Sequence, residues 1–186
     1  MPRPVLQPFF GVRYIGVINV DGEHTGPDGT SHSLSNHNDR ELLVSARRLT
    51  SLIVTDAVTA AKESYRASRY APIEIWSKSG NFRNHIPESQ VDSHPIKFVT
   101  VKDLELEGDR ISGENTLLES GPTLAAALAR FIGQAVITVA DVDGLPGGIS
   151  QAAAVNHLHR LGLTELAELE WFEDDRNGYL VANRRG

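Results

Sequence analysis

The sequence predicts a layered α/β domain with a mostly parallel sheet and a closing antiparallel hairpin. Three observations carry that expectation. Short apolar strands alternate with stretches of helical periodicity, as when helices cover a parallel sheet. The strands GVRYIGVINV, SLIVTD and QAVITVADV are apolar almost throughout, like strands buried on both faces. Near the end, LAELEWF and GYLVANR flank a polar segment, which reads as a hairpin.

The elements follow in order. GVRYIGVINV (11–20) is rich in Val, Ile and Tyr and reads as a strand, stopped by Asp21-Gly22. Residues 23–35, EHTGPDGTSHSLS, form a polar loop long enough to have a function of its own. In NDRELLVSARRL, Leu42, Leu43, Ala46 and Leu49 make a helical stripe, which puts Arg40, Glu41, Arg47 and Arg48 on the wet side. SLIVTD (51–56) is a strand, and DAVTAAKESYR a helical turn or short helix.

PIEIWS (72–77) is the next strand, SKSGNFRNHIPESQ a loop, and PIKFVTV (95–101) a strand. Residues 103–114, DLELEGDRISGE, alternate over 103–107 as a brief strand would, and Gly108 and Gly113 break anything longer. NTLLES is a strand, and PTLAAALARFI a helix with Leu124, Ala127, Leu128, Phe131 and Ile132 on one face. QAVITVADV (134–142) is a strand and DGLPGG a turn cluster. SQAAAVNHLHRLG is a helix with Ser150 as N-cap and Gly162 just past its end. The hairpin turns at Asn177-Gly178, with Glu173, Asp174 and Asp175 at a solvated tip. No linker or repeat interrupts the chain, so residues 1–186 read as one domain.

Composition narrows the function. The chain has 186 residues, 40% of them hydrophobic, and a net charge of −6. Basic residues are not clustered, which argues against nucleic acid. Without cysteine there is no disulfide, zinc thiolate or thiol nucleophile, in keeping with a cytoplasmic protein. No run reaches the roughly 18 apolar residues of a membrane span. The seven histidines lack closed metal-site spacing: His157 and His159 diverge on a helix, and His24, His32 and His37 sit in or beside one loop. No metal is expected. No G-x-S-x-G elbow supports Ser31, Ser33 or Ser35 as a hydrolase nucleophile. Tyr65, Tyr70, Trp76 and Trp171 read as packing residues.

The passage from strand to helix at LLESGPTLAAAL (117–128) is the most suggestive stretch. Gly121 permits close approach of a ligand, Pro122 suits the first helical position, and Ser120 or Thr123 can cap. In an open α/β sheet such a corner lies where ligands bind, beyond the carboxyl ends of the strands. An ordinary turn gives the same pattern.

LLESGPTLAAAL also resembles the EGGPTL segment of the reductase domain of bifunctional riboflavin-biosynthesis proteins. Other pieces match in the same order. INVDG (18–22) resembles the family's SLDG. Residues 35–66 resemble its helix, its strand ending V-G-x-G-T and its acidic-tyrosine turn. PIEIWSKSG (72–80) resembles its strand ending in a serine, and ADVDGLPGG (140–148) its P-x-L-x-G-G. The likeness spans about residues 12–183.

The resemblance implies a three-layer dihydrofolate-reductase-like domain. It implies an NADPH-dependent reductase of a small nucleotide-like or pterin-like substrate, similar to 5-amino-6-(5-phosphoribosylamino)uracil reductase, and a homodimer. Carried over by position, Val54, Thr55, Asp56, Ala57 and Thr59 flank the nicotinamide half, Ser77 and Ser79 the adenosine phosphate, and Ser120, Gly121, Pro122 and Thr123 the pyrophosphate. Asp21 and Glu119 face the substrate as candidate proton donors, with Asn19 beside them and Arg40 near the substrate's phosphate. Loop 23–35 covers the site.

Several positions depart from the family pattern, among them Ile15 and Asn19, six and two residues before the aspartate of its SLDG. Thr55, Asp56 and Val58 fall where the family has V-G-x-G-T, and Ser120 replaces the first glycine of its pair. Side chains there narrow a dinucleotide groove, and Asp56 adds a negative charge, unless it turns away as an N-cap for residues 57–63. The segment 102–114 looks too short for the family's helix, which would leave a sheet face to a partner. A second function therefore stands beside the first: a diverged, non-catalytic relative that binds a nucleotide or a partner as a dimer.

Overall fold

Along the second strand, Leu52 and Val54 pack into one apolar cluster and Ile53 into another. Such alternation places a core on each face of the sheet. A computed structural model describes residues 2–82, 92–143, 145 and 147–186. Parts of the expected loop SKSGNFRNHIPESQ and of the DGLPGG turn lie outside the described residues.

Eight strands form one sheet: β1 (Gly11–Ile18), β2 (Leu52–Asp56), β3 (Ile73–Ser77), β4 (Ile96–Thr100), β5 (Asn115–Leu118), β6 (Ile132–Ala140), β7 (Glu168–Glu173) and β8 (Asn177–Asn183). Their order is β4-β3-β2-β5-β1-β6-β8-β7. The first six are parallel to one another, and β8 is antiparallel to both β6 and β7. The expected fold class holds.

The helices make the outer layers. α1 (His37–Arg48) and α2 (Ala57–Lys62) cover one face through Leu42, Ala46, Ala57 and Ala60. α3 (Leu104–Ser112), α4 (Pro122–Ala127) and α5 (Gln151–Arg160) cover the other through Ile111, Ala125, Leu128, Ala154 and Leu158. No helix among the described residues is long and apolar enough to cross a membrane.

Several local expectations are corrected. Residues 104–112 are helical, not a broken strand, because Asp103 caps the N-terminus by accepting from the N–H groups of Glu105 and Leu106 (3.0 and 3.1 Å). The sheet face is therefore covered by the chain itself. Gly108 does not break α3; a β-carbon there would run into the Phe131 ring. The alanine-rich helix ends at Ala127, a 3-10 turn follows at Ala129–Phe131, and β6 already begins at Ile132. Its N-cap is Gly121, with no side-chain cap from Ser120 or Thr123.

The hairpin turns at 174–176, not at Asn177-Gly178. Asp174 accepts from the N–H groups of Arg176 and Asn177, both at 2.9 Å, so the tip is internally braced. Asn177 is buried and donates to Asn36 and Tyr179, both at 2.9 Å. Gly178 is needed because Trp171 and Ile149 crowd its position. The helix over 151–160 has the expected ends: Ser150 accepts from the Ala153 N–H (3.2 Å), and Gly162 has φ +76°.

Candidate functional site

The centre of the sheet sets the site. β5 lies between β2 and β1, and its carboxyl end delivers Glu119, whose N–H donates to the Val54 carbonyl at 2.9 Å. The side chain of Glu119 is buried, with 5% of the residue exposed. Its carboxylate accepts from Nε and Nη2 of Arg47 (2.7 and 2.6 Å) and from the Tyr65 hydroxyl (2.5 Å). This is a forked, charge-assisted pair, among the strongest hydrogen-bonded arrangements in proteins.

The electrostatics follow from burial. Burial works against the Arg47 charge, yet the adjacent Glu119 carboxylate outweighs it and holds the guanidinium pKa above its ordinary value. Burial first, and then the charge of Glu119, push the Tyr65 pKa far up, so the phenol keeps its proton and donates it to the carboxylate. Sequence placed Arg47 on the wet face of α1 and Tyr65 in packing. The structure instead joins both to Glu119, across 72 and 54 residues.

One residue further on, the corner closes on itself. The Gly121 N–H is shared between Asp56 Oδ2 (3.1 Å) and Thr59 Oγ1 (3.0 Å). Asp56 also caps α2, accepting from the Thr59 N–H and Oγ1–H, both at 2.8 Å. Its role as N-cap matches the sequence, but the carboxylate does not turn away from the glycine corner. Gly121 has an ordinary φ of −63°. Its missing side chain matters for space, since a β-carbon would lie 3.3 Å from Thr59 Oγ1 and 3.8 Å from Asp56 Oδ2. Ser120 Oγ donates to the Gly121 carbonyl at 3.1 Å.

Around these corners a cleft of about 1000 Å³ opens, a size usual for small-molecule and cofactor sites. It brings together many of the residues singled out from sequence: Asp56, Ala57, Thr59, Ser77 and Ser79, with Arg40 and the run from Glu119 to Thr123. Lys78 lies between the two serines on the same rim. Loop 23–35 contributes His24, Thr25, Ser31, His32 and Ser35 to the wall. It is tied to α2 by the Ser31 N–H, which donates to Glu63 at 2.7 Å.

Four singled-out residues stand apart. Val54 and Thr55 are fully buried within β2 and do not line the cleft. Asn19 and Asp21 are also outside its wall. Asn19 is buried and organises its own turn, accepting from the N–H groups of Asp21 and Glu23 (3.1 and 2.9 Å), and Asp21 is exposed. Val58, in contrast, does line the cleft and is 41% exposed.

Sequence reasoning missed Asp39. It stands in the first turn of α1, is buried, and lines the cleft. Ser35 Oγ donates to it at 2.5 Å. Burial pushes its pKa up despite that hydrogen bond and the nearby Arg40 charge. The only sequence signal was a carboxylate on the buried side of an amphipathic helix. Among the described residues, no three His, Asp or Glu side chains gather as a metal site.

No family model matches the sequence, and no curated protein matches it. Solved structures match its fold. A pyrimidine reductase-like protein from Corynebacterium diphtheriae is 14% identical with a TM-score of 0.62, over 93% of this chain and 91% of that one. A Thermotoga maritima diaminohydroxyphosphoribosylaminopyrimidine deaminase/5-amino-6-(5-phosphoribosylamino)uracil reductase is 11% identical with a TM-score of 0.62, over 94% of this chain and 56% of that one. This chain thus spans little more than half of that protein. Dihydrofolate reductase from Enterococcus faecalis, solved with NADP(H), is 10% identical with a TM-score of 0.57, over 95% and 97% of the two chains. At such identities the likeness establishes the fold, which is dihydrofolate-reductase-like, as the sequence motifs implied.

Proposed function

We propose that this chain is a reductase of a small heterocyclic substrate that takes hydride from NADPH held along the cleft. The observation that supports this is the pairing, in one cleft, of a rim suited to a nucleotide phosphate with a buried carboxylate able to handle a proton. Ser77, Lys78 and Ser79 supply hydroxyls and a cation at the rim. Asp39, with its raised pKa, lies in the same wall.

NADPH supplies a hydride when bound. Reduction of a C=N bond also needs a proton at nitrogen, and Asp39 can hold one where water is excluded. That role moves away from Asp21, which is exposed outside the cleft, and from Glu119, whose carboxylate is engaged by Arg47 and Tyr65. Glu119 instead fixes the floor, and Arg40 stands near enough to meet an acidic substrate group. By the same resemblance two copies of the chain pair, which sedimentation velocity checks.

The cofactor fits the rim better than the glycine corner. Asp56 already accepts the Gly121 N–H, the donor a diphosphate would use. Two like charges 4 Å apart repel by about 4 kcal/mol at an effective dielectric of 20. A phosphate seated at the glycine corner would lose about three decades of affinity to Asp56, as from a micromolar site to a millimolar one. NADPH is therefore held weakly, and Asp56→Asn tightens it.

Titration of the purified protein with NADPH, read by cofactor fluorescence and melting temperature, tests the reading. Saturable binding is expected, with Asp56→Asn up to about a thousandfold tighter. The seat of Asp56 on Gly121 favours one other reading, a non-catalytic relative whose cleft binds a different ligand. Absence of NADPH binding by both proteins at millimolar concentration would select it.

A further inference from the structure

Behind the glycine corner lies a second hollow of about 290 Å³. Its wall includes Gly22, His24, Pro122, Thr123, His157 and Arg160. It holds three side chains able to carry positive charge and no carboxylate. They come from two parts of the chain: His24 from the loop after β1, and His157 and Arg160 from the last turn of α5.

Packing sets Arg160 and His157 there. The Arg160 guanidinium lies directly against Gly22, so closely that a β-carbon would collide with it. Gly22 has φ +80°, a conformation that also favours glycine. Among the described residues, the ion pairs do not include Arg160. His157 is 4% exposed, and its Nε2 has no hydrogen-bond partner in the protein. Burial first, then Arg160 and His24, push its pKa down to about 4.

A basic last turn is ordinary helix chemistry, because cations complement the helix dipole there. That accounts for His159, which is exposed. It does not account for His157, a buried imidazole in the wall of a hollow shared with Arg160 and His24, both exposed. Buried polar groups are nearly always paired, and an exception such as His157 Nε2 calls for a physical reason. An oxyanion in the hollow would meet the Arg160 and His24 side chains together and lie against the His157 ring.

We propose that this hollow is a binding site for a small oxyanion, a phosphate or carboxylate group, with Arg160 as its charged anchor, His24 as a hydrogen-bond donor and the His157 ring packed against it. It is separate from the cofactor rim at Ser77–Ser79, although His24, Pro122 and Thr123 stand in the walls of both hollows.

The test uses the whole chain at pH 7 with sodium phosphate, and with sodium acetate in a parallel arm, each against sodium chloride at matched ionic strength. Calorimetry and the NMR signals of the histidine rings are read together. Saturable heat with phosphate, acetate or both, together with a shift of the His157 ring, is expected, and the stronger of the two anions identifies the ligand class. Arg160→Gln is expected to weaken binding about tenfold, as loss of a charge-assisted hydrogen bond does, while its melting temperature without anion stays unchanged. His157→Asn is expected to weaken it as well. An unmoved His157 ring, or unchanged affinity in Arg160→Gln, overturns the proposal whether or not NADPH binds the cleft.

Discussion

The corner after β5 and the hollow beside α5 share a wall at Pro122 and Thr123 and have opposite internal economies. At the first, Glu119 is met by Arg47 and Tyr65, and the Gly121 N–H by Asp56 and Thr59. At the second, Arg160 forms no ion pair among the described residues, and His157 Nε2 has no protein partner. The contrast teaches where replacement should be felt. Where the chain has matched its own charges, removing one strands its partner, so stability falls. Where the charges are unmatched, removal should cost binding and leave the fold alone.

The largest expected effect breaks the first corner. Glu119→Ala leaves the Arg47 charge buried and unpaired, which should cost about 3–5 kcal/mol of unfolding free energy in urea. Replacing both, as Arg47→Met with Glu119→Leu, should cost much less, because no charge is then stranded. Equal losses in the single and double variants would show that the pair does not act as a unit.

The next effect is a pH dependence in the second region. His157 has a folded pKa of about 4 against 6.5 unfolded, so the unfolded chain binds more protons between these values. Its contribution is complete above pH 6.5 and is lost as pH falls through 4, by about 3 kcal/mol at most. Urea melts at pH 7 and 4.5 should therefore differ less for His157→Gln than for the parent. An identical pH slope would mean that the imidazole titrates normally in the fold.

A smaller change separates the two roles of Asp56. Asp56→Ala removes a helix cap and should cost about 1–2 kcal/mol, even as it relieves the charge opposing NADPH. A variant that both melts later and binds no better would remove Asp56 from either role. The smallest effect is that of Arg160→Gln on stability, within about 0.5 kcal/mol by thermal melting, as for surface substitutions without partners. A loss of several kcal/mol would make Arg160 a structural residue and erase the contrast between the regions.

Much of the fold was legible because its signals are local. Apolar runs gave the strands, Ser150 and Gly162 the ends of α5, and Asp56 the start of α2. Gly108 and Gly178 misled because a glycine reads alike whether it breaks an element or makes room for a neighbour; here Phe131 and Trp171 take the space. The position of the cleft was also legible, since strands of one direction end together. Which polar groups meet there was not. Asp39 looked like any carboxylate in a first helical turn, and Arg47 like any arginine on a wet face.

By itself the sequence determined the alternation of strand and helix, the two-sided core and the place of the corner, since hydrophobic period and turn chemistry act within a few residues. Only the tertiary structure decided that Glu119 is matched, that Asp56 sits on the Gly121 N–H, and that His157 and Arg160 remain unmatched. Those outcomes depend on charges brought together across dozens of residues, where electrostatic strength is set by burial and distance, which the order of amino acids does not display.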